Sequence, residues 1–185
     1  MKTTLTATPL KDLFVVTIDY VTDERGFFIE SWNKRDFAAA GLNEDFVQDS
    51  HSRSSKNVLR GLHYQNMTAP MAKLVRCTRG AIYDVAVDLR SSSPTFGKWY
   101  GIELTEENKK LVLVPIGFAH GFATLSDLAD VQYKQTNFYA PATEGTLLWN
   151  DPDVDIRWPI DTPILSKRDG QGMLFKDYCA SPAFS

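Results

Sequence analysis

The chain has 185 residues, of which 43% are hydrophobic and 23% are charged. This length corresponds to one domain, and the composition excludes a disordered chain because enough apolar surface is available to form a core. A formal charge of −3 with no long run of like charges excludes a surface that coats nucleic acid, although local basic groups can still hold a small anion.

Short apolar runs rich in β-branched and aromatic residues alternate with turn residues along the whole chain, which is typical of an all-β fold. The predicted strands, in chain order, are Leu13–Ile18, Gly26–Ser31, Val47–Arg53, Val58–Gln65, Lys73–Thr78, Ala81–Leu89, Lys98–Leu104, Lys110–Val114, Phe118–Thr124, Val131–Phe138 and Gly145–Trp149. Strands of this number and length are compatible with a sandwich, a jelly roll or a barrel.

Two short helices complete the predicted elements. Good helix formers followed by Gly41 predict a helix over Lys34–Ala40, and a second is expected around Met173–Tyr178. No repeat or linker divides the chain, so residues 1–185 are expected to form a single domain.

No segment predicts secretion or passage through a bilayer. A membrane span needs about 20 consecutive apolar residues, and the apolar runs at 111–114 and 119–125 are far shorter or interrupted. The N-terminal residues lack the apolar stretch of a signal peptide, and Cys77 and Cys179 are too few and too far apart for a disulfide framework. We therefore expect a cytoplasmic protein with no membrane partner and no nucleic-acid partner.

One histidine lies within a strand that also carries other polar groups. Alternation along Val58–Gln65 places Arg60 on one face and His63, with Gln65, on the other. An imidazole with a reference pKa near 6.5 is a usable base at neutral pH if its face looks into a barrel. A hydrogen-bonded core histidine is the alternative.

The residue pattern does not indicate a metal site or a nucleophile. Gln65 stands where a His-x-His pair would need its second histidine, and both cysteines are distant in sequence from the histidines. No Gly-x-Ser-x-Gly elbow is present, and Cys77 within an apolar strand is expected to be a packed thiol.

Several cationic side chains interrupt strand-like segments, where each is costly to bury unpaired. They are Arg25, Arg60, Lys73 and Arg76. Neutralisation by carboxylates such as Glu30 or Asp84 is one explanation, and surface exposure is another. If several of them line one cavity, they form a clamp for a phosphorylated or otherwise anionic ligand. Aromatic residues downstream, Tyr133, Phe138 and Tyr139, either stack on a base or sugar or belong to the core.

Segments spread over most of the chain resemble, in the same order, those of the dTDP-4-dehydrorhamnose 3,5-epimerase (dTDP-4-keto-6-deoxyglucose 3,5-epimerase) family. They are Asp23-x-Arg25-Gly26-x-Phe28-x-Glu30, Arg60-Gly61-Leu62-His63-Tyr64-Gln65, Lys73-Leu74-Val75-Arg76, Asp84-Val85-Ala86-Val87-Asp88-Leu89-Arg90, Ser93-Pro94-Thr95-Phe96-Gly97, Pro115-x-Gly117-Phe118-Ala119-His120-Gly121-Phe122, Trp149-Asn150-Asp151-Pro152 and Trp158-Pro159. The segments containing His63 and His120 are together highly specific.

The resemblance implies a cupin-type double-stranded β-helix jelly roll with a few short helices, acting as a homodimer without a metal or an organic cofactor. The implied reaction is the epimerisation of dTDP-4-dehydro-6-deoxy-D-glucose at C3 and C5 to dTDP-4-dehydro-L-rhamnose, in dTDP-L-rhamnose biosynthesis. Both carbons flank the C4 ketone, so a base can remove each hydrogen if the enolate oxygen is stabilised.

The resemblance also implies roles by position. His63 is similar to the general base of the family, and Asp169 is similar to the carboxylate that orients it and stabilises its protonated form. Lys73 resembles the lysine that faces the C4 oxygen, and Tyr133 resembles the tyrosine that supplies a proton from the other face. The residues that resemble contacts to the nucleotide sugar are Arg25, Phe28, Glu30, Gln48, Ser50, Arg60, His120, Tyr139, Glu144 and Arg168, with Tyr139 in the place of the aromatic that stacks on thymine.

Two positions depart from the family pattern. Ser50 stands where asparagine is usual, so an amide contact is shortened to a hydroxyl. Arg168 stands where lysine is usual, so the charge is retained with a different geometry.

Two alternatives remain open at this point. The first is a related enzyme that inverts only C3 or only C5, or a ketoisomerase, acting on a dTDP-deoxysugar for antibiotic or lipopolysaccharide assembly. The second is a non-catalytic cupin that binds nucleotide sugars, since a fold alone does not establish an activity.

Overall fold

Strands dominate the computed structural model, which describes residues 1–185. The strands are β1 (Thr3–Ala7), β2 (Phe14–Ile18), β3 (Val21–Asp23), β4 (Gly26–Phe28), β5 (Gln48–Ser55), β6 (Leu59–Gln65), β7 (Lys73–Arg79), β8 (Ala81–Asp88), β9 (Trp99–Thr105), β10 (Leu111–Val114), β11 (Phe118–Thr124), β12 (Leu128–Gln135) and β13 (Glu144–Thr146). The α-helices are α1 (Lys34–Ala39) and α2 (Phe175–Ala180), and 3₁₀-helices span Pro141–Thr143 and Asp169–Gln171. None of the helices has the length and apolar character that crossing a membrane requires.

Two antiparallel sheets pack face to face. The first has the strand order β1-β2-β10-β7-β12-β5, and the second has the order β13-β6-β11-β8-β9. Their shared core includes Val75 and Val131 from the first sheet and Ile82 and Phe122 from the second, all almost fully buried. The all-β, cupin-type jelly roll implied by the resemblance is therefore confirmed.

Separate apolar clusters cover the outer faces of both sheets. Phe37 of α1 packs against the first sheet, and Asn33 caps this helix by accepting hydrogen bonds from the backbone N–H groups of Arg35 and Asp36. Tyr178 of α2 packs against the second sheet. Polar side chains gather between the two sheets, at one end of the molecule.

Most predicted strands are confirmed with small differences at their ends, and two strands were missed. Two predictions were too long at their C-terminal ends: β4 ends at Phe28 rather than Ser31, and β13 ends at Thr146 rather than Trp149. β1 and β3 lack a buried apolar run: β1 alternates partly buried and exposed residues, mostly threonine, and β3 is exposed throughout. Their sequences carry no signal because an edge strand needs no buried face. Smaller differences include the predicted strand Val131–Phe138, which is β12 at Leu128–Gln135, and the predicted helix Met173–Tyr178, which is α2.

The pairing of β6 with β11 is irregular. His63 faces His120, and Arg60 faces Phe122, so three steps along β6 match two steps along β11. This extra residue on one strand is a β-bulge, located at Gly61 and its neighbour.

The bulge corrects the prediction that Arg60 and His63 point to opposite faces, because both side chains line the same cavity. A bulge adds one residue to a strand and so reverses the alternation beyond it. Gly61 is required here, since its φ is +137° and a Cβ would lie 2.5 Å from the Cα of Gly121.

Candidate active site

A polar cavity of about 340 Å³ opens between the two sheets. Eight residues predicted to act in catalysis or binding line it: Ser50, Arg60, His63, Lys73, His120, Tyr133, Arg168 and Asp169. His63 comes from β6 of the second sheet, whereas Lys73 and Tyr133 come from β7 and β12 of the first. The cavity therefore receives functional groups from two facing walls.

His63 is hydrogen-bonded to a carboxylate supplied by a 3₁₀-helix. Its Nε2 lies 2.6 Å from Oδ1 of Asp169, and the side chains are 17% and 4% exposed. Ser166 donates a second hydrogen bond to Asp169 Oδ2, at 2.8 Å. Burial opposes ionisation of Asp169, but the hydrogen bonds from His63 and Ser166 outweigh it and hold the pKa of this carboxyl below its usual range.

The environment of His63 favours its neutral form. Burial lowers the pKa of the imidazole, the hydrogen bond to Asp169 opposes that shift, and the charge of Arg168 adds to it. One guanidinium nitrogen of Arg168 lies 3.1 Å from His63 Nε2. A neutral imidazole held by a carboxylate is poised to accept a proton.

Lys73 supplies a positive charge inside the cavity. Loss of hydration lowers the pKa of its ammonium to about 8, while the carboxylates of Glu144 and Asp84 oppose the shift. The group is therefore still largely protonated at neutral pH, and its charge acts in surroundings poor in water, where electrostatic interactions are strong.

Tyr133 faces the cavity from the first sheet. Its hydroxyl lies 3.0 Å from Ser52 Oγ, within hydrogen-bond distance. Burial raises the pKa of the phenol well above its usual range, so this group holds its proton at neutral pH.

A second histidine–aspartate pair lies beneath the cavity. His120 Nε2 is 2.9 Å from Asp84 Oδ2, and the side chains are 4% and 1% exposed. His120 stands directly opposite His63 across the strand pair and meets the Tyr133 ring edge-on, with centroids 6.4 Å apart. His120 therefore lies beside both His63 and Tyr133.

Three further predicted binding residues are joined by hydrogen bonds next to Arg168. Tyr139, half exposed, donates its hydroxyl to Glu144 Oε2 at 3.0 Å, and its backbone N–H donates to Gln48 Oε1 at 3.1 Å. Arg168 forms an ion pair with the same Glu144 carboxylate. Gln48, Tyr139 and Glu144 are therefore connected to the cavity through Arg168 and through each other.

The remaining three predicted binding residues do not reach the cavity of their own chain. Arg25 and Phe28 belong to the β3–β4 ribbon, where Arg25 pairs with Asp23 and Phe28 is 62% exposed. Glu30 accepts a hydrogen bond from the N-terminal amine of Met1, at 3.4 Å. The structure leaves these side chains on a surface outside the site.

The two departures from the family pattern have defined contacts. Ser50 donates to Gln135 Oε1 at 2.8 Å and accepts from Gln48 at 3.3 Å, so the shorter side chain stays within a polar network. Arg168 bridges Glu144 and His63, as its forked guanidinium allows.

Ser52 and Ser166 line the cavity although no sequence pattern indicated them, and Asp84 was predicted only as a partner for cationic residues. For Asp84 a signal was available, because a carboxylate within the apolar run of β8 requires a buried partner. Ser52 shares a strand face with Gln48 and Ser50, which is a weaker signal. No three His, Cys, Asp or Glu side chains in the structure converge as metal ligands.

Comparison with known proteins gives a consistent result. The family model described as dTDP-4-dehydrorhamnose 3,5-epimerase matches residues 7–177. A Pseudomonas aeruginosa protein of that name is 51% identical over 179 residues, covering 96% of this chain and 97% of the relative.

Two solved structures share the fold. The dTDP-4-dehydrorhamnose 3,5-epimerase of Elizabethkingia anophelis aligns with a TM-score of 0.90 at 48% identity, covering 96% of this chain and 98% of the other. The dTDP-6-deoxy-D-glucose-3,5-epimerase of Legionella pneumophila, solved in complex with dTDP-4-keto-L-rhamnose, aligns with a TM-score of 0.89 at 43% identity, covering 94% and 93% of the two chains.

Proposed function

The chain belongs to the dTDP-4-dehydrorhamnose 3,5-epimerase family, and we propose that it converts dTDP-4-dehydro-6-deoxy-D-glucose into dTDP-4-dehydro-L-rhamnose by inverting C3 and C5. One observation supports this function most: a histidine–aspartate pair and a tyrosine reach one cavity from facing sheets, with a partly buried lysine on the same sheet as the tyrosine. Inversion requires a base and an acid on opposite faces of the sugar ring, and this arrangement supplies both.

His63 removes the proton from the carbon next to the C4 ketone. Its Nε2 faces Asp169, so the proton goes to Nδ1, whose one other polar neighbour is a guanidinium nitrogen of Arg168 at 3.4 Å. The C–H bond breaks, its electron pair moves into the C–C bond of the enolate, and the C4 oxygen takes the negative charge. The Asp169 carboxylate stabilises the imidazolium that forms.

Lys73 stabilises the enolate. Its ammonium is charged at neutral pH, and it lies in surroundings poor in water, where a fixed cation stabilises a developing oxyanion more than it would in solvent. Its positive charge is present before the reaction begins, so it is available for the transition state without reorganisation.

Tyr133 completes the inversion. Its raised pKa keeps the phenol protonated at neutral pH, so the phenol can donate a proton to the ring carbon from the wall opposite His63. A new C–H bond forms on the other face, and the phenolate remains until it regains a proton. The same groups then serve the second carbon.

Arg60, Ser50, His120 and Arg168 line the cavity and are proposed to hold the nucleotide sugar. The two arginines offer forked donors suited to a diphosphate. Beside Arg168, Tyr139 is half exposed and is proposed to stack on thymine, while Gln48 and Glu144 are proposed to supply polar contacts.

We propose a homodimer in which the β3–β4 ribbon of one protomer brings Arg25, Phe28 and Glu30 to the site of the other. The ribbon exposes large apolar side chains, Phe27 at 58% and Phe28 at 62%, which is unfavourable in water and typical of a surface that meets a partner.

Sedimentation tests whether the protein is a dimer in solution. Mixing two variants that are each expected to be inactive, His63→Asn and Arg25→Ala, tests the exchange. In a mixed dimer, one of the two sites combines the wild-type His63 of one protomer with the wild-type Arg25 of the other, so activity should return. A monomer, or no recovered activity, would contradict this arrangement.

Incubation with dTDP-4-dehydro-6-deoxy-D-glucose in deuterated water tests the function. The proposal requires two deuterons, at C3 and C5, in a product with the L-rhamno configuration. One deuteron with one inverted centre would identify a mono-epimerase, and a displaced carbonyl would identify a ketoisomerase. Binding of dTDP without any exchange would identify a non-catalytic binding protein.

A further inference from the structure

The hydroxyl of Tyr133 has one hydrogen-bonding partner, Ser52. The two oxygens are 3.0 Å apart and belong to the adjacent strands β12 and β5. Ser52 and Tyr133 both line the cavity, and both side chains are partly buried. Ser52 is therefore the one side chain that can fix the direction of the phenolic O–H bond.

The other neighbours of Tyr133 are unsuited to exchange a proton with it. His120 meets the ring edge-on and has its Nε2 committed to Asp84. Cys77 lies in the apolar core, where burial raises the pKa of its thiol to about 11 and its sulfur donates to the backbone carbonyl of Arg79. A serine hydroxyl, in contrast, donates and accepts at the same oxygen.

The proposed reaction leaves a proton to be replaced. Each inversion moves one proton from the ring to His63 and another from Tyr133 to the ring, so the enzyme ends with an imidazolium and a phenolate. A second inversion cannot begin until both groups are restored. His63 is 17% exposed at the cavity and can lose its proton to water directly, whereas the Tyr133 phenolate faces the bound sugar and has Ser52 as its one hydrogen-bonding partner.

We propose that Ser52 is a positioning residue that orients the Tyr133 hydroxyl and relays solvent protons to it between the two inversions; this inference rests on the proposed function. The Ser52 O–H bond breaks as its proton passes to the phenolate, and a new O–H bond forms with a proton from cavity water. The hydroxide left behind is neutralised by the proton that His63 releases, so no net proton is consumed.

Kinetics of Ser52→Ala in deuterated water test the relay. We expect kcat for double inversion to fall about tenfold, as for the loss of one hydrogen bond to a reacting group, with KM and the Kd for dTDP unchanged. Product inverted and deuterated at one carbon should accumulate, because the second inversion waits until Tyr133 has regained its proton.

Ser52→Thr keeps a hydroxyl and should restore kcat to within about twofold. Ser55→Ala, on the exposed face of the same strand, is the matched control and should behave as wild type.

Three results would overturn the relay: wild-type kcat and product distribution in Ser52→Ala, no recovery in Ser52→Thr, or parallel losses of kcat and dTDP affinity. A wild-type protein that exchanges neither carbon overturns the proposed function and the relay with it. A wild type that exchanges both carbons, beside an unaffected Ser52→Ala, overturns the relay alone.

Discussion

The two histidine–aspartate pairs of this molecule use the same hydrogen bond in different surroundings. His63 and Asp169 connect a strand to a 3₁₀-helix at the cavity, where the imidazole is 17% exposed. His120 and Asp84 lie on adjacent strands of one sheet and are 4% and 1% exposed. The first pair can exchange a proton with a ligand or with water, whereas the second is almost fully buried, although His120 also lines the cavity wall.

The partners of the two carboxylates differ as well. Asp169 keeps hydrogen bonds with Ser166 in addition to His63, whereas the only side-chain hydrogen bond of Asp84 is to His120. The first imidazole can therefore be changed without leaving its carboxylate isolated. The same change at the second leaves a buried carboxylate without a partner, so similar geometry predicts a catalytic loss in one case and a loss of stability in the other.

The largest expected effect is on catalysis at the His63–Asp169 pair. His63→Asn removes the base while keeping a side chain of similar shape, and Tyr133→Phe removes only the acid's hydroxyl. We expect each to lower kcat about 10²–10⁴-fold, the usual contribution of a general acid or base, with dTDP affinity nearly unchanged. Steady-state kinetics and calorimetry check this.

His51→Asn is the control for that experiment, since the third histidine is 53% exposed and lies outside the cavity. It should retain wild-type kcat. Equal losses of rate and of dTDP affinity in His63→Asn would contradict the role of base.

The next effect is on stability at the buried pair. His120→Ala leaves the Asp84 carboxylate buried and unpaired, so we expect the free energy of unfolding to fall by about 3 kcal/mol. His63→Ala should cost only about 1 kcal/mol, because Asp169 keeps its hydrogen bonds with Ser166. Urea unfolding of both variants gives the comparison, and equal losses would show that the two environments are energetically alike.

Much of the fold was predictable because its signal is local. The strands that became β7, β8 and β11 are apolar runs bounded by turn residues, and a buried strand in the middle of a sheet needs such a run. β1 and β3 are edge or exposed strands, so packing places little demand on their residues. The bulge at Gly61 depends on its close approach to Gly121 of another strand, which no local pattern expresses.

The site was less predictable for the same reason. His63 stood out as a polar residue in a strand, but its partner Asp169 is 106 residues away and was identified only through the family resemblance. The Ser52–Tyr133 contact likewise depends on the pairing of β5 with β12. Hydrogen bonds across sheets and to distant loops arise from topology, which the residue pattern does not specify.

A smaller effect is expected in the pH dependence of the rate. The reaction requires neutral His63 and charged Lys73, so activity should be highest between the lowered pKa of His63, below 6.5, and the pKa of Lys73 at about 8. Above this value Lys73 loses its proton and the enolate loses its stabilising charge. Lys73→Arg should move the basic limb of the kcat profile to higher pH, because arginine stays protonated. A basic limb unchanged in that variant would assign it to another group.

The smallest expected effect concerns Arg168, the half-exposed neighbour of the His63–Asp169 pair. Its guanidinium lies beside His63, so its positive charge disfavours the imidazolium and contributes to the lowered pKa of that histidine. Arg168→Gln should raise the pKa of His63 and move the acidic limb of kcat/KM to higher pH. The shift should be only a fraction of a pH unit, because Arg168 is 48% exposed and solvent and salt screen its charge. Arg168→Lys keeps the charge and should shift less, whereas raised salt should move the wild-type limb in the same direction as Arg168→Gln. If the acidic limb of Arg168→Gln moves to lower pH, the dominant effect of Arg168 on His63 is not electrostatic. Burial is then the main difference between the His63–Asp169 and His120–Asp84 pairs.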